Sequence, residues 1–107
     1  MEVKKLADMT RGWFVGNFEP TAFSTENVEV AVKTYKAGDR EAAHYHKVAT
    51  EITVVTSGRV RMNKQEFKVG DIIVVQPGEI VEFEALEESS NVVVKLPAIL
   101  EDKYVVL

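Results

Sequence analysis

The sequence predicts an all-β sandwich or barrel built as one domain. Three observations lead there. From Asn27 onward short runs rich in β-branched residues recur, turn signals separate them at near-regular intervals, and no stretch carries a convincing helical period. The 107 residues, 46% hydrophobic and 28% charged, suffice for one core and are too few for two.

Each element has its own signal. Val28, Val30 and Val32 alternate with Glu29, Ala31 and Lys33, which predicts a strand with one buried face. Ala37-Gly38-Asp39 turns the chain, and residues 42–46 and 51–56 read as two further strands. Ser57-Gly58 turns into 59–63, where Val60 and Met62 oppose Arg59 and Arg61, and Asn63-Lys64 suits a tight turn into 66–69. Gly70-Asp71 precedes the apolar strand 72–75, and Gln76-Pro77-Gly78-Glu79 fits a type II turn. Residues 81–86 alternate again, 87–91 form a polar loop, and 92–96 make the last core strand before Pro97 stops regular pairing.

The barrel is thus expected over residues 27–97. Residues 1–26 read as an N-terminal arm, with a helical turn at 7–10 and four of the nine aromatic residues at Trp13, Phe14, Phe18 and Phe23. Such an arm would pack on the barrel or on a partner subunit. Trp13 and Phe14 lie between Gly12 and Gly16 and read as packing residues, with a hinged lid over a pocket as the alternative. Residues 98–107 read as a tail, and Lys95, Asp102, Lys103 and Tyr104 as solvated groups near the terminus.

A net charge of −4 without a basic cluster argues against a nucleic-acid partner. No apolar run approaches the roughly 18 residues of a membrane span, and Met1-Glu2-Val3-Lys4-Lys5 leads into no signal-like apolar region, so a cytoplasmic protein is expected. With no cysteine, disulfides, thiolate ligands and a cysteine nucleophile are excluded, and nitrogen and oxygen must hold any metal.

The chemistry concentrates at one point. Both histidines fall in His44-Tyr45-His46, followed by Glu51. On a strand, residues two apart share a face, so the two imidazoles would stand side by side and could grip one ion, while Tyr45 points away. Hydrogen-bonded polar residues lining a barrel, with Glu51 neutralising one histidine, are the plainer reading of the same pattern. Gln76, just before the Pro-Gly turn, is a substrate-pocket candidate. Arg59 and Arg61 read as an outer face that could also clamp an anion.

The spacing from Gly38 through His44-Tyr45-His46 and Glu51 to Gly58 resembles the first motif of the cupin superfamily at every fixed position. Gly70 and Pro77-Gly78 match part of the second motif, whose histidine is replaced by Val81 and whose final asparagine is replaced by Ala85. The resemblance implies a cupin-type jelly-roll β-barrel, or double-stranded β-helix, commonly a homodimer. It further implies a divalent transition metal (iron, manganese, nickel, zinc or copper) on His44, His46 and Glu51, the fourth ligand having no match. Alternation from Val81 sends Phe83 and Ala85 inward and Glu82 and Glu84 outward, which leaves no substitute.

The function expected is metal binding with oxidation or isomerisation of a small polar molecule. Two imidazoles and a carboxylate suit an Fe(II) facial triad or a His-His-Glu zinc site. Two alternatives stand beside it. His44-Tyr45-His46-Lys47 resembles a stretch of cupin-like nucleotide-sugar ketoisomerases, which would use the histidine pair for proton transfer without metal. The third reading is a non-catalytic barrel that binds a small molecule.

Overall fold

The computed structural model describes residues 1–107 as eleven strands in two facing sheets, after one 3-10 turn at Leu6–Asp8. In chain order the strands are β1 (Trp13–Gly16), β2 (Phe23–Ser24), β3 (Glu29–Tyr35), β4 (Arg40–Tyr45), β5 (Thr50–Ser57) and β6 (Arg59–Met62). They continue with β7 (Gln65–Lys68), β8 (Ile72–Val75), β9 (Val81–Ala85), β10 (Ser89–Leu96) and β11 (Tyr104–Val105). The larger sheet runs β2-β1-β3-β10-β5-β8 and the smaller one β11-β4-β9-β6-β7. No helix is long and apolar enough to cross a membrane.

The ends of the chain are built into the sheets. Within the first 26 residues, β1 pairs antiparallel with β3, and β2 extends the edge in parallel with β1. Gly12, with φ +83°, lies so close to Val32 that a side chain would collide with its carbonyl oxygen, and Val32 N–H donates to the Gly12 carbonyl. That glycine is a point of close backbone packing, not a hinge. At the other end β11 pairs with β4, stacking Tyr104 on Tyr45 with ring centroids 5.4 Å apart. Tyr45 therefore points away from the interior, as its place between the histidines predicts.

Register explains what each face of the larger sheet carries. Across β3, β10 and β5, Glu29 stands opposite Lys95, and Lys95 opposite Glu51. The next inward row is Ala31, Val93 and Thr53. Residues one position along point to the other side. Those outward rows are Val30, Val94, Ile52 and Val74, then Val32, Val92, Val54 and Ile72, running over β3, β10, β5 and β8. On β3 the buried face is thus the one carrying Glu29 and Ala31, and the valines lie outside, half-buried. Strand alternation is legible in such a pattern, but which face meets the other sheet is not when both faces are rich in apolar residues.

The apolar core fills one end of the space between the sheets. Val55, Val60, Met62, Val75, Val81, Phe83 and Ala85 are buried there, with Tyr35, Phe67 and Ile73 packed against them. Tyr35 and Phe83 meet at 4.5 Å between ring centroids. Burying each such side chain contributes roughly 1.5–3 kcal/mol. The inward residues of β5 change along its length from Glu51 through Thr53 to Val55, passing from the polar end of the barrel to this core.

Candidate functional site

His44 comes from β4 and His46 from the connection just after it; both are buried. Glu51 comes from the start of β5, opposite Lys95. All three line one cavity of ≈ 440 Å³ at the polar end of the barrel. The histidine rings stand edge to face, 5.6 Å between centroids, with His46 just past the end of β4 and on the same side as His44.

The tautomer of His44 is fixed by its backbone. Its Nδ1 lies 2.8 Å from the Ala42 carbonyl oxygen, which can only accept, so Nδ1 carries the proton and Nε2 keeps a free lone pair. His46 is turned differently. Its Nδ1 faces the Glu51 carboxylate at 3.7 Å, too long for a hydrogen bond. Burial lowers the His46 pKa to about 4, and nearby Lys95 and His44 push the same way, so the imidazole is neutral at pH 7. Burial raises the pKa of Glu51, against the attraction of Lys95. The pair is a neutral imidazole beside a carboxyl group, not a salt bridge.

The loop that joins His46 to Glu51 is held by the chain terminus. Asp102 is buried, and its carboxylate accepts from the backbone N–H groups of Lys47 at 3.0 Å, Val48 at 3.1 Å and Ala49 at 2.9 Å. These bonds hold its pKa below the ordinary aspartate value, despite the opposing effect of burial. Gly78 N–H donates to the His46 carbonyl at 2.7 Å, so the Pro-Gly turn clamps the same segment from the other side. Asp102, expected in a solvated tail, is a structural support of the site because backbone N–H groups in a buried loop need acceptors.

Several cavity residues escape sequence reading. Glu29, Lys33 and Lys95 line the cavity through the inward faces of β3 and β10, the faces that alternation alone cannot orient. Lys95 Nζ lies 3.9 Å from Glu29 Oε2, with both side chains nearly buried. Glu41 enters by a different route. Arg40 to Glu41 and His44 are paired with β9 across a register shift, so Glu41 opposes Phe83 and His44 opposes Val81. That bulge brings two residues three apart to one face, which strict alternation forbids. Trp13 covers the cavity from β1, with Lys33 Nζ and Lys95 Nζ 5.5 and 5.6 Å from the ring centroid. Trp13 is thus a wall of the cavity, while Phe14 lines a separate groove with Leu6, Met9 and Val32.

Gln76 lies outside the cavity. Val75 before it is buried, so Gln76 takes an outward position, exposed and accepting from Thr50 Oγ1 at 3.4 Å. Arg59 and Arg61 lie on the outer face of the smaller sheet, paired to Glu66, Glu84 and Glu87.

The donor set of His44, His46 and Glu51 fits a divalent ion in type: two imidazoles, one with its Nδ1 committed to a backbone carbonyl, and one carboxyl group. It does not converge on a point as the side chains stand. No group of three histidine, aspartate or glutamate side chains is gathered closely enough to hold an ion.

No protein-family model matches the chain, and no curated protein does. Solved structures do. A conserved protein with a double-stranded β-helix domain from Klebsiella pneumoniae superposes with a TM-score of 0.69 at 23% identity, over 78% of this chain and 77% of that one. An RmlC-like cupin from Shewanella frigidimarina gives 0.66 at 16% identity, over 73% of this chain and 72% of that one. The chain has the cupin fold. Oxalate decarboxylase from Bacillus subtilis shares it at a TM-score of 0.68 and 19% identity, over 76% of this chain, which spans 24% of that longer protein. Within this cupin barrel the polar cavity lies between the sheets, and His44, His46 and Glu51 are all in it.

Proposed function

We propose that the chain is a metal-binding cupin that takes a small polar molecule into the cavity beside a divalent ion on His44, His46 and Glu51. One observation carries the reading: the His44 Nδ1 proton is committed to the Ala42 carbonyl, 2.8 Å away, which aims a free Nε2 lone pair from a buried wall. Metal-binding histidines characteristically donate their other ring N–H to an acceptor of this kind. His46, kept neutral by burial, offers the second nitrogen. Glu51 supplies the carboxylate once it leaves its place 3.7 Å from His46. Neighbours of the same fold support a metal site, since oxalate decarboxylase from Bacillus subtilis has Mn(II) centres.

A divalent ion bound there would act as a Lewis acid or bind dioxygen, according to its identity. The chain's own groups do the rest. Trp13 walls one side of the cavity and limits water, Lys33 and Lys95 offer cationic donors to an anionic or hydroxylated ligand, and Glu41 is a further carboxylate within the same walls. Metal analysis of untagged protein tests the reading. Near-stoichiometric iron, manganese, nickel, zinc or copper that disappears in a folded His44→Ala/His46→Ala variant is the expected result; unchanged metal content would reject the ligand assignment.

A second reading has its own support in the same geometry. His46 and Glu51 face each other at 3.7 Å with pKa values displaced in opposite directions, the arrangement of a metal-free proton-transfer pair. A ketoisomerase-like activity would then persist in chelator-treated protein and vanish with His46→Gln.

A further inference from the structure

Beyond the inward rows of Glu29 and Ala31, sheet register gives a third: Lys33 on β3 stands opposite Asn91 on β10, and Asn91 opposite Val55 on β5. Lys33 is half-buried and lines the same cavity as the histidines. Its Nζ donates to the Arg11 carbonyl at 3.1 Å and enters none of the chain's ion pairs. Lys95, the other lysine of these rows, is engaged by Glu29 at 3.9 Å. Burial lowers the Lys33 pKa, Glu41 opposes it, and Arg11 and Lys103 push with burial. An ammonium that has one carbonyl for a partner keeps two N–H donors for a ligand.

The cavity walls are formally balanced in charge, four lysine and arginine residues against four glutamates. A divalent ion on His44, His46 and Glu51 would therefore leave two positive charges in excess. That excess rests on the metal site proposed above; the unpaired Lys33 does not. Trp13 bears on the rest of the ligand. Lys33 Nζ and Lys95 Nζ lie 5.5 and 5.6 Å from its ring centroid, so one flat apolar surface stands beside both ammonium groups. Such a wall favours an anion with a carbon skeleton over an inorganic one, which would set only charge against the indole. A volume of ≈ 440 Å³ suits a small organic molecule.

We propose that Lys33, beside Trp13, is the carboxylate-binding group of the cavity, and that the ligand is a small organic carboxylate whose body lies along the indole. The carboxylate accepts from the Lys33 ammonium and completes an ion pair that the chain's own residues leave unmade. Lys95 is a positioning residue here: by holding Glu29 it keeps that carboxylate from Lys33. A neutral ligand of the same shape leaves the ammonium without a counter-charge and binds more weakly.

Trp13 is the only tryptophan of the chain, so its fluorescence reports entry into this cavity without any turnover. The test titrates acetate, succinate and benzoate, with succinamide and sulfate as controls, into the full chain with and without Mn(II), whose stoichiometry is read separately by calorimetry. At least one carboxylate is expected to give a saturable change, and succinamide and sulfate none. Lys33→Met, folded by circular dichroism, is expected to weaken that binding at least about tenfold, the loss of one charge-assisted hydrogen bond. Lys33→Arg, which keeps the charge, is expected to retain most of it. No saturable response to any of the three carboxylates, an equal response to sulfate, or binding that Lys33→Met leaves unchanged would overturn the proposal. Carboxylate binding that depends on Lys33 in protein that takes up no Mn(II) would defeat the metal reading and support this one; Mn(II) uptake without carboxylate binding would do the reverse.

Discussion

On the smaller sheet the outward positions of β4, β6, β7 and β9 carry Arg40, Arg59, Arg61, Glu66 and Glu84, joined by ion pairs of 3.1–3.3 Å. On the larger sheet the outward positions of β3, β10, β5 and β8 carry no charge, and the charges have moved inside as Glu29, Lys95 and Glu51. The smaller sheet keeps its arginines and most of its carboxylates outside and turns only Glu41 and His44 of β4 to the cavity, whereas the larger sheet carries charge inside over half its inner face. The lesson is that the charges inside this barrel are gathered at its cavity and kept out of its apolar core. Desolvating Glu29, Lys95 and Glu51 is costly, so a fold tolerates it where the groups bind or react.

Breaking the inner row should have the largest effect. Lys95→Met leaves Glu29 without its paired cation and Glu51 without the positive charge on the strand beside it, and removing one partner of a nearly buried pair costs about 3 kcal/mol. Urea unfolding at pH 7 should record that loss. The loss should shrink towards pH 4, because burial already raises both carboxyl pKa values and protonation removes the buried negative charge that Lys95 balances.

The support of the site is the next weakest point. Asp102→Ala strips the acceptors from three backbone N–H groups between His46 and Glu51, at a cost of about 1–3 kcal/mol. Because the folded carboxyl is held below its ordinary value, its contribution is complete above that value and is lost as pH falls through the lowered pKa. Wild type and variant should therefore differ in melting temperature at pH 7 and converge under strongly acid conditions. A constant gap would show that the carboxylate charge is not what holds the loop.

Histidine protonation should give a smaller effect in a higher pH range. The folded His46 pKa of about 4 lies below the ordinary 6.5, so the unfolded chain takes up the proton first. Stability should fall as pH drops from 6.5 towards 4, and His46→Gln should flatten that limb relative to wild type. Glu29 and Glu51 are displaced the other way, and comparison with the variant cancels their contribution. Smallest of all, Arg61→Ala on the exposed ladder of the smaller sheet should cost about 0–1 kcal/mol, and that little should fade with added salt.

Much of this was legible in the sequence, for identifiable reasons. Strand alternation and turn residues locate the barrel, and the spacing of His44, His46 and Glu51 puts them in one cavity because β4 and β5 enter it side by side from opposite sheets. Val81, Phe83 and Ala85 are buried as their alternation predicts. Glu29, Lys33 and Lys95 were not legible, because Val30 and Val94 made the wrong face look like the core. Glu41 was hidden by a bulge, a backbone event with no side-chain signature here. Asp102, Tyr104 and Trp13 were hidden because pairing of the chain ends with β4 and β3 depends on contacts far apart in sequence.

Titration of Mn(II) into metal-stripped protein, followed by calorimetry on wild type, His44→Ala/His46→Ala and Glu51→Gln, tests the central claim most directly. The account predicts one ion per chain in the wild type, no measurable binding in the double histidine variant and weakened binding in Glu51→Gln, with all three folded. Equal binding in all three, or none in the wild type with Mn(II) or any other first-row divalent ion, would contradict it.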